Sequence, residues 1–229
     1  MRIDTLTLFP EMFHNVLGRS ILKIAQEKKL VSYYLHNIRD FTNDKHKCVD
    51  DKPYSGGAGM IIKPEPLFNA VEAVEIQDNI ISKKILLTPQ GKTFNQEIAN
   101  NLSKETRLMI ICGHYEGFDE RIRIGLDVSE ISIGDYVLTG GEIPAMVIID
   151  AIVRLIPGVL GGNRSLQNES FMNKTLEYPQ YTRPAEFRGM EVPEVLKSGN
   201  HRKIEEWQTK NAIMRTLERR PDLLENNKE

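Results

Sequence analysis

The chain of 229 residues is poor in the usual staples. Its two cysteines, Cys48 and Cys112, exclude a disulfide framework and lead us to expect a reducing compartment. The histidines (His14, His36, His46, His114, His201) make no i,i+4 pair and no cluster with cysteine. His46-Lys47-Cys48 offers one ligand pair at most, so no metal site is expected. No apolar run approaches the ~20 residues of a membrane helix, and even residues 143–156 carry Asp150 and Arg154. The start, Met1-Arg2-Ile3-Asp4, has no apolar signal-peptide core. A soluble, cytoplasmic protein with no membrane partner is the expectation.

Common nucleotide motifs are missing too. Gly91-Lys92-Thr93 hints at a phosphate loop, but that loop needs a glycine where Leu86 stands. No strand-to-helix turn carries G-x-G-x-x-G, and no G-x-S-x-G elbow supports serine-nucleophile chemistry. A net charge of −2 excludes a globally basic nucleic-acid binder, though not a local basic patch.

What is present is a repeated strand–loop–helix pattern in residues 85–157. Three short apolar runs, residues 85–88, 108–112 and 130–133, read as buried parallel strands. Each opens into a glycine-bearing polar loop, residues 89–93, 113–119 and 134–141. Helical patterns follow at residues 95–102, 120–126 and 142–156, the last with Pro144 in its first turn and Pro157-Gly158 as its stop. In open parallel sheets a ligand sits outside the carboxyl ends of the strands, so a small-molecule pocket is expected in the three loops. Upstream, residues 3–9 and 30–38 read as strands and residues 12–28 as a helical face broken at Gly18. Residues 60–62 read as a short strand and residues 64–74 as a helix opened by Pro64 and Pro66. The fold class expected is α/β.

Residues 161–175 have little hydrophobic content and read as a flexible linker between an α/β domain over 1–160 and a small helical domain over 176–229. Short helices are expected at 194–196, 203–207 and 211–220. Residues 197–220 hold seven Lys or Arg against three Glu, a local balance of +4 that suits phosphate contacts or, equally, a solvated helix face. Arg154 admits two readings: an i,i+4 ion pair with Asp150, or a cation near the loop pocket that stabilises a developing oxyanion. Glu169 is either a solvated linker carboxylate or a catalytic group on a closing segment.

Several strings in order give a resemblance that covers nearly the whole chain. They include Thr7-Leu8-Phe9-Pro10-Glu11-Met12-Phe13, Pro53-Tyr54-Ser55-Gly56-Gly57-Ala58-Gly59-Met60 and Leu87-Thr88-Pro89-Gln90-Gly91. Cys112-Gly113-His114-Tyr115-Glu116-Gly117, Asp119-Glu120-Arg121, Tyr181-Thr182-Arg183-Pro184 and the long run from Ser132 to Glu142 (SIGDYVLTGGE) complete the set. Together they resemble the bacterial tRNA (guanine-N1)-methyltransferases of the SPOUT superfamily, which modify the guanosine 3′ of the anticodon (position 37) and so support reading-frame maintenance. The resemblance implies a trefoil-knotted sheet, an obligate homodimer with shared active sites, and S-adenosylmethionine as methyl donor. It allows a divalent cation such as magnesium.

By the same resemblance, Pro89, Gly91, Gly113, Tyr115, Glu116, Ile133, Gly134, Asp135, Tyr136, Val137, Leu138, Gly140, Gly141 and Pro144 line the donor site. Arg154 would stabilise O6 of the guanine, and Glu169 would accept the N1 proton, with Asp135 or Glu116 as the alternative carboxylates. Gly59 and Ser165 are expected at the substrate, Ser165 by helping to order the linker over the bound ligand, and Arg183, Arg188, Lys197, Arg202, Lys203 and Arg215 are expected to grip the tRNA anticodon arm. The chain departs from the family pattern at Glu169 (usually aspartate), Gln180 (commonly histidine) and Ser55 (usually glycine). Two other functions remain open at this point: an RNA-binding protein that keeps the pocket without turnover, and a related RNA methyltransferase with a different target.

Overall fold

The computed structural model describes residues 1–54, 56–161 and 169–225. Contacts divide the chain into two units, Met1–Gly161 and Gly162–Glu229.

The first unit is built on a five-stranded parallel sheet. Its strands are β1 (Arg2–Thr7), β2 (Ser32–Asn37), β5 (Lys83–Thr93), β6 (Arg107–Ile111) and β7 (Ser129–Ser132), in the order β2-β1-β6-β5-β7. A two-stranded ribbon, β3 (Asp50–Asp51) and β4 (Ile61–Ile62), stands apart. The helices are α1 (His14–Leu17), α2 (Ser20–Glu27), α3 (Pro64–Glu75), α4 (Gln96–Leu102), α5 (Glu120–Gly125) and α6 (Glu142–Val153).

Period-two alternation sorts the strand residues between two cores. Ile85, Leu87, Leu108, Ile110 and Cys112 pack with α1, α2 and α6 through Phe13, Leu17, Leu22, Ile148 and Ile152. Leu86, Met109 and Ile111 pack on the opposite face with α3 and α5 through Leu67, Val71, Val74 and Ile122. Burial on both faces explains why β6 is a continuous apolar run. Gly18 separates α1 from α2 as expected, donating its N–H to the His14 carbonyl. Asn95 caps α4 by accepting from the Ile98 N–H.

Four expectations change. The first strand–loop pair is one irregular strand: β5 pairs Leu87 with Ile131, and then Lys92 with the same Ile131. Residues 88–91 bow outward between those two pairings, and the returning chain regains its hydrogen bonds on β7. α6 ends at Val153 rather than 156, because Leu155 and Ile156 tighten into i→i−3 bonds, Leu155 N–H to the Ile152 carbonyl at 3.0 Å and Ile156 N–H to the Val153 carbonyl at 3.1 Å.

The third change lies in the second unit, where the helices expected at 203–207 and 211–220 are one helix, His201–Arg219. No glycine or proline interrupts it, and the Asn200 side chain caps it by accepting from the Lys203 N–H. The unit also contains a hairpin, β8 (Glu186–Phe187) with β9 (Met190–Glu191), and short helices Glu194–Lys197 and Asp222–Glu225. Residues 169–175, the end of the expected linker, form a hydrogen-bonded turn with the start of the second unit: Phe171 N–H donates to the Thr175 carbonyl, and Glu177 N–H to Ser170 Oγ. Leu176 N–H then reaches Thr216 Oγ1 at 2.9 Å, tying the turn to the long helix. Among the described residues, no helix is long and apolar enough to cross a membrane.

Candidate active site

A cavity of about 450 Å³ opens at the carboxyl ends of β5, β6 and β7, a size typical of small-molecule sites. β5 lies between β6 and β7, so the strands that follow it in sequence pass to opposite sides. That is a topological switch point, where open parallel sheets leave a crevice. The walls are residues 88–90 after the straight part of β5, 113–118 after β6, and 131–141 with Pro144 around the start of α6, Asp135 excepted.

Of the expected donor-site residues, Pro89, Gly113, Tyr115, Glu116, Ile133, Gly134, Tyr136, Val137, Leu138, Gly140, Gly141 and Pro144 line this cavity. Gly91 and Asp135 do not. Asp135 is exposed. Gly91 lies where β5 rejoins β7, and a Cβ there would sit 2.4 Å from the Ile131 nitrogen. Its place is the crossing of two backbones, which only a residue without a side chain permits. Gly141 marks a second crossing. Its N–H donates to the Gly113 carbonyl at 2.7 Å, and a Cβ would come within 2.8 Å of the Cys112 Cα. Gly59 stands against the Glu116 side chain, so it adjoins the wall without forming it.

The lining also holds polar groups not singled out from the sequence: His114, Glu120 and Arg123. Arg123 ties the loops together through Nε to Glu130 at 2.9 Å, Nη1 to Glu120 at 3.0 Å and Nη2 to Thr88 Oγ1 at 3.4 Å. Burial works against its charge, but the two carboxylates outweigh burial and hold its proton more tightly than usual. Cys112, beneath the cavity, has its thiol pushed well above the ordinary range by burial and then by the field of Glu142. It stays protonated and is no nucleophile.

The comparison with known families decides what kind of protein carries this cavity. The model for tRNA (Guanine-1)-methyltransferase TrmD matches residues 1–226. The chain belongs to that family. A tRNA (guanine-N(1)-)-methyltransferase of Dehalococcoides mccartyi is 60% identical over 225 residues, covering 98% of this chain and 91% of that protein. The proteins of the same name from Anoxybacillus flavithermus and Halalkalibacterium halodurans are 59% and 57% identical, covering 98% and 100% of this chain and 92% and 93% of their own lengths.

Arg154, read from the sequence as a possible neighbour of the pocket, lies at the wrong end of α6 for that within one chain. The cavity touches the helix at Gly141 and Pro144, and Arg154 follows its last residue. At about 1.5 Å per residue Arg154 stands about 15 Å beyond Pro144, still farther than an arginine side chain reaches. α6 itself is unusual for a surface helix. Ile148, Ile149 and Ile152 are buried, yet Ile143 and Val147 on another face are 49% and 45% exposed. Asp150 is exposed on that same face one turn on, so the uncovered apolar part is the first half of the helix. Glu169 is half-buried in the second unit, where its carbonyl accepts from Met172 N–H.

Among the residues expected on RNA, Arg183, Arg188, Lys197, Arg202 and Lys203 are exposed, while Arg215 is half-buried and donates to the Glu177 carbonyl at 3.4 Å. Lys197 and Arg202 are paired with Glu194 and Glu206, as the solvated-helix reading of this stretch expects. Ser165 lies outside the described residues. Among the described residues, no group of three or more His, Cys, Asp or Glu is placed to hold a metal ion.

Proposed function

We propose that this chain transfers a methyl group from S-adenosylmethionine to N1 of the guanosine at position 37 in tRNA. Family membership over residues 1–226 carries the reading, and the cavity supports it. Its walls are mostly neutral, with backbone brought close by Gly113, Gly140 and Gly141, so amides and carbonyls can read an adenine edge and a ribose. When bound, S-adenosylmethionine supplies an electrophilic methyl on a sulfonium.

Guanine N1 carries a proton, and its lone pair attacks only after a base removes that proton. Glu169 is the base in this scheme, and Arg154 stabilises the negative charge that moves onto O6. Because Arg154 stands about 15 Å along α6 from Pro144, the last cavity residue on that helix, we take the site to be completed by a second copy of the protein. The exposed Ile143 and Val147 face of α6 supports that homodimer. The return of β5 to β7 at residues 88–91 is the segment we assign to the trefoil knot. The second unit is the tRNA-binding domain, with Arg183, Arg188, Lys197, Arg202, Lys203 and Arg215 on the anticodon arm; Gly59 and Ser165 serve the substrate, Ser165 by ordering the linker, and the enzyme works in the cytoplasm. No residue is proposed as ligand to a divalent cation.

The test uses purified protein, labelled donor and anticodon-arm RNA bearing guanosine or inosine at position 37, with the product mapped. Methyl incorporation at N1 of that guanosine is expected. No incorporation into any tRNA refutes the reading. Glu169→Gln is expected to lower kcat by about 10²- to 10⁴-fold, the usual worth of a general base, with donor affinity unchanged. Full turnover in that variant removes Glu169 as the base.

A further inference from the structure

Three side chains with no role above meet behind the cavity wall. Thr7 ends β1, His114 follows β6, and Glu142 opens α6. Glu142 is only 2% exposed and does not line the cavity. Thr7 Oγ1 donates to its Oε1 at 2.7 Å. The other carboxylate oxygen lies 3.9 Å from His114 Nδ1, which is buried and has no hydrogen-bond partner among the described residues. His114 does line the cavity, with the Phe9 ring 5.0 Å away and the Tyr115 ring edge-on at 4.9 Å.

The arrangement is tight. His114 bridges to Gly140, and a Cβ on Gly140 would fall 2.4 Å from Glu142 Oε2 and 2.6 Å from His114 Nδ1. A carboxylate only accepts hydrogen bonds, so it attracts Nδ1 only when that nitrogen carries a proton. A nearly buried carboxylate with a single hydroxyl donor is short of partners, and an imidazole N–H is the group within reach to supply the second.

We propose that Glu142 is a positioning residue for donor binding, acting through His114. Anchored by Thr7, it fixes the His114 ring between Phe9 and Tyr115 and so holds residues 113–117 along the cavity wall instead of across its mouth. Tyr115 in this loop sits at φ +59°, a conformation that an L side chain keeps only when its neighbours impose it. Without Glu142 the ring turns into the space it borders, and the loop relaxes. The inference rests on the reading of this cavity as the donor site.

The test measures equilibrium binding of S-adenosylhomocysteine, which cannot react, to the full-length protein. Glu142→Ala is expected to weaken binding at least fivefold and to raise the donor KM in parallel, with kcat at saturating donor within threefold of the parent. Glu142→Gln is expected to bind within threefold of the parent, because its amide oxygen still accepts from Thr7 while its NH₂ donates to a neutral Nδ1. Glu142→Ala/His114→Ala is expected to bind no worse than the weaker single variant, since one residue acts through the other. A smaller loss in Glu142→Ala, a Gln variant as weak as the Ala variant, or losses that multiply in the double variant overturn the proposal. Should Glu142→Ala fail to fold, Thr7→Val decides: at least threefold weaker binding supports the proposal, and a smaller effect overturns it. A parent protein that binds no S-adenosylhomocysteine sinks the donor-site reading itself, an outcome distinct from parity among the variants.

Discussion

Asp4→Ala tests whether the sheet depends on a buried charge cluster remote from the chemistry. Asp4 and Arg107 both have fully buried side chains and meet at 3.0 Å. Arg107 also donates to the carbonyls of Val74 at 2.6 Å, Glu75 at 3.0 Å and Ile80 at 2.8 Å, so it closes the C-terminal end of α3. Arg2 holds Asp4 with two bonds, at 2.9 and 2.8 Å, and His36 lies 2.9 Å away. Removing the carboxylate leaves Arg107 hydrogen-bonded but without its counter-charge in a dry site. Breaking a buried pair in this way costs about 3–5 kcal/mol. Each kcal/mol lowers the melting temperature by roughly 2–4 °C at this chain length, so a fall of roughly 6–20 °C is expected.

The assay is urea and thermal unfolding followed by circular dichroism, at one protomer concentration because association shifts apparent stability. Acid supplies a second reading. Burial alone raises the Asp4 pKa, but hydrogen bonds from His36, Arg2 and Arg107 outweigh it and hold the carboxyl below its ordinary value. A depressed folded pKa gives stability that is present above the unfolded value of about 3.9 and lost as pH falls through the folded one. The stability gap between the parent and Asp4→Asn therefore narrows below about pH 4. A loss under about 1 kcal/mol in Asp4→Ala, no more than an ordinary surface ion pair is worth, refutes the reasoning.

Gly91→Ala places a methyl 2.4 Å from the Ile131 nitrogen; it is expected to cost about 1–3 kcal/mol and to weaken donor binding, because residues 88–90 ride on that crossing. Melting curves and donor titration read the two effects separately. If α6 carries the proposed dimer contact, Val147→Asp on its exposed face is expected to give a folded monomer in light scattering and to abolish turnover, whereas an unchanged mass and turnover refute that contact. Lys203→Glu combined with Arg183→Glu is expected to raise the KM for tRNA at least tenfold and to flatten its dependence on salt, with donor affinity unchanged.

Much of the sheet was legible because burial leaves a one-dimensional trace. Residues 108–112 are apolar without interruption, and Pro64 and Asn95 announce α3 and α4 by chemistry at the first turn. Features that depend on partners distant in sequence left no such trace. Nothing local marks Asp4 and Arg107 as partners; the β1–β6 register sets Arg107 opposite Arg2 and so two positions from Asp4 on the same face of the sheet. Thr7 and Glu142 are 135 positions apart and share a hydrogen bond. Gln208-Thr209-Lys210 interrupts the apolar spacing along the long helix of the second unit, so periodicity alone suggests two short helices there. Periodicity records which face is buried, whereas the backbone needs only uninterrupted hydrogen bonding.

Arg154 shows how the same limit bears on function. On the chain it sits just beyond the third loop's helix, and closeness in sequence suggests closeness to the pocket. A helix converts that adjacency into distance, because every residue of α6 carries the chain about 1.5 Å farther from the cavity. An arginine at the far end therefore helps the pocket of another copy or none. The first alternative is the one proposed, and its support is the exposed Ile143 and Val147, apolar side chains on the same helix that a second copy could cover. A mixed dimer of Arg154→Ala and Glu169→Gln chains gives the cleanest measure. If both groups of one site come from different chains, mixing restores one intact site per mixed dimer. If they come from the same chain, the mixture stays as inactive as its parts.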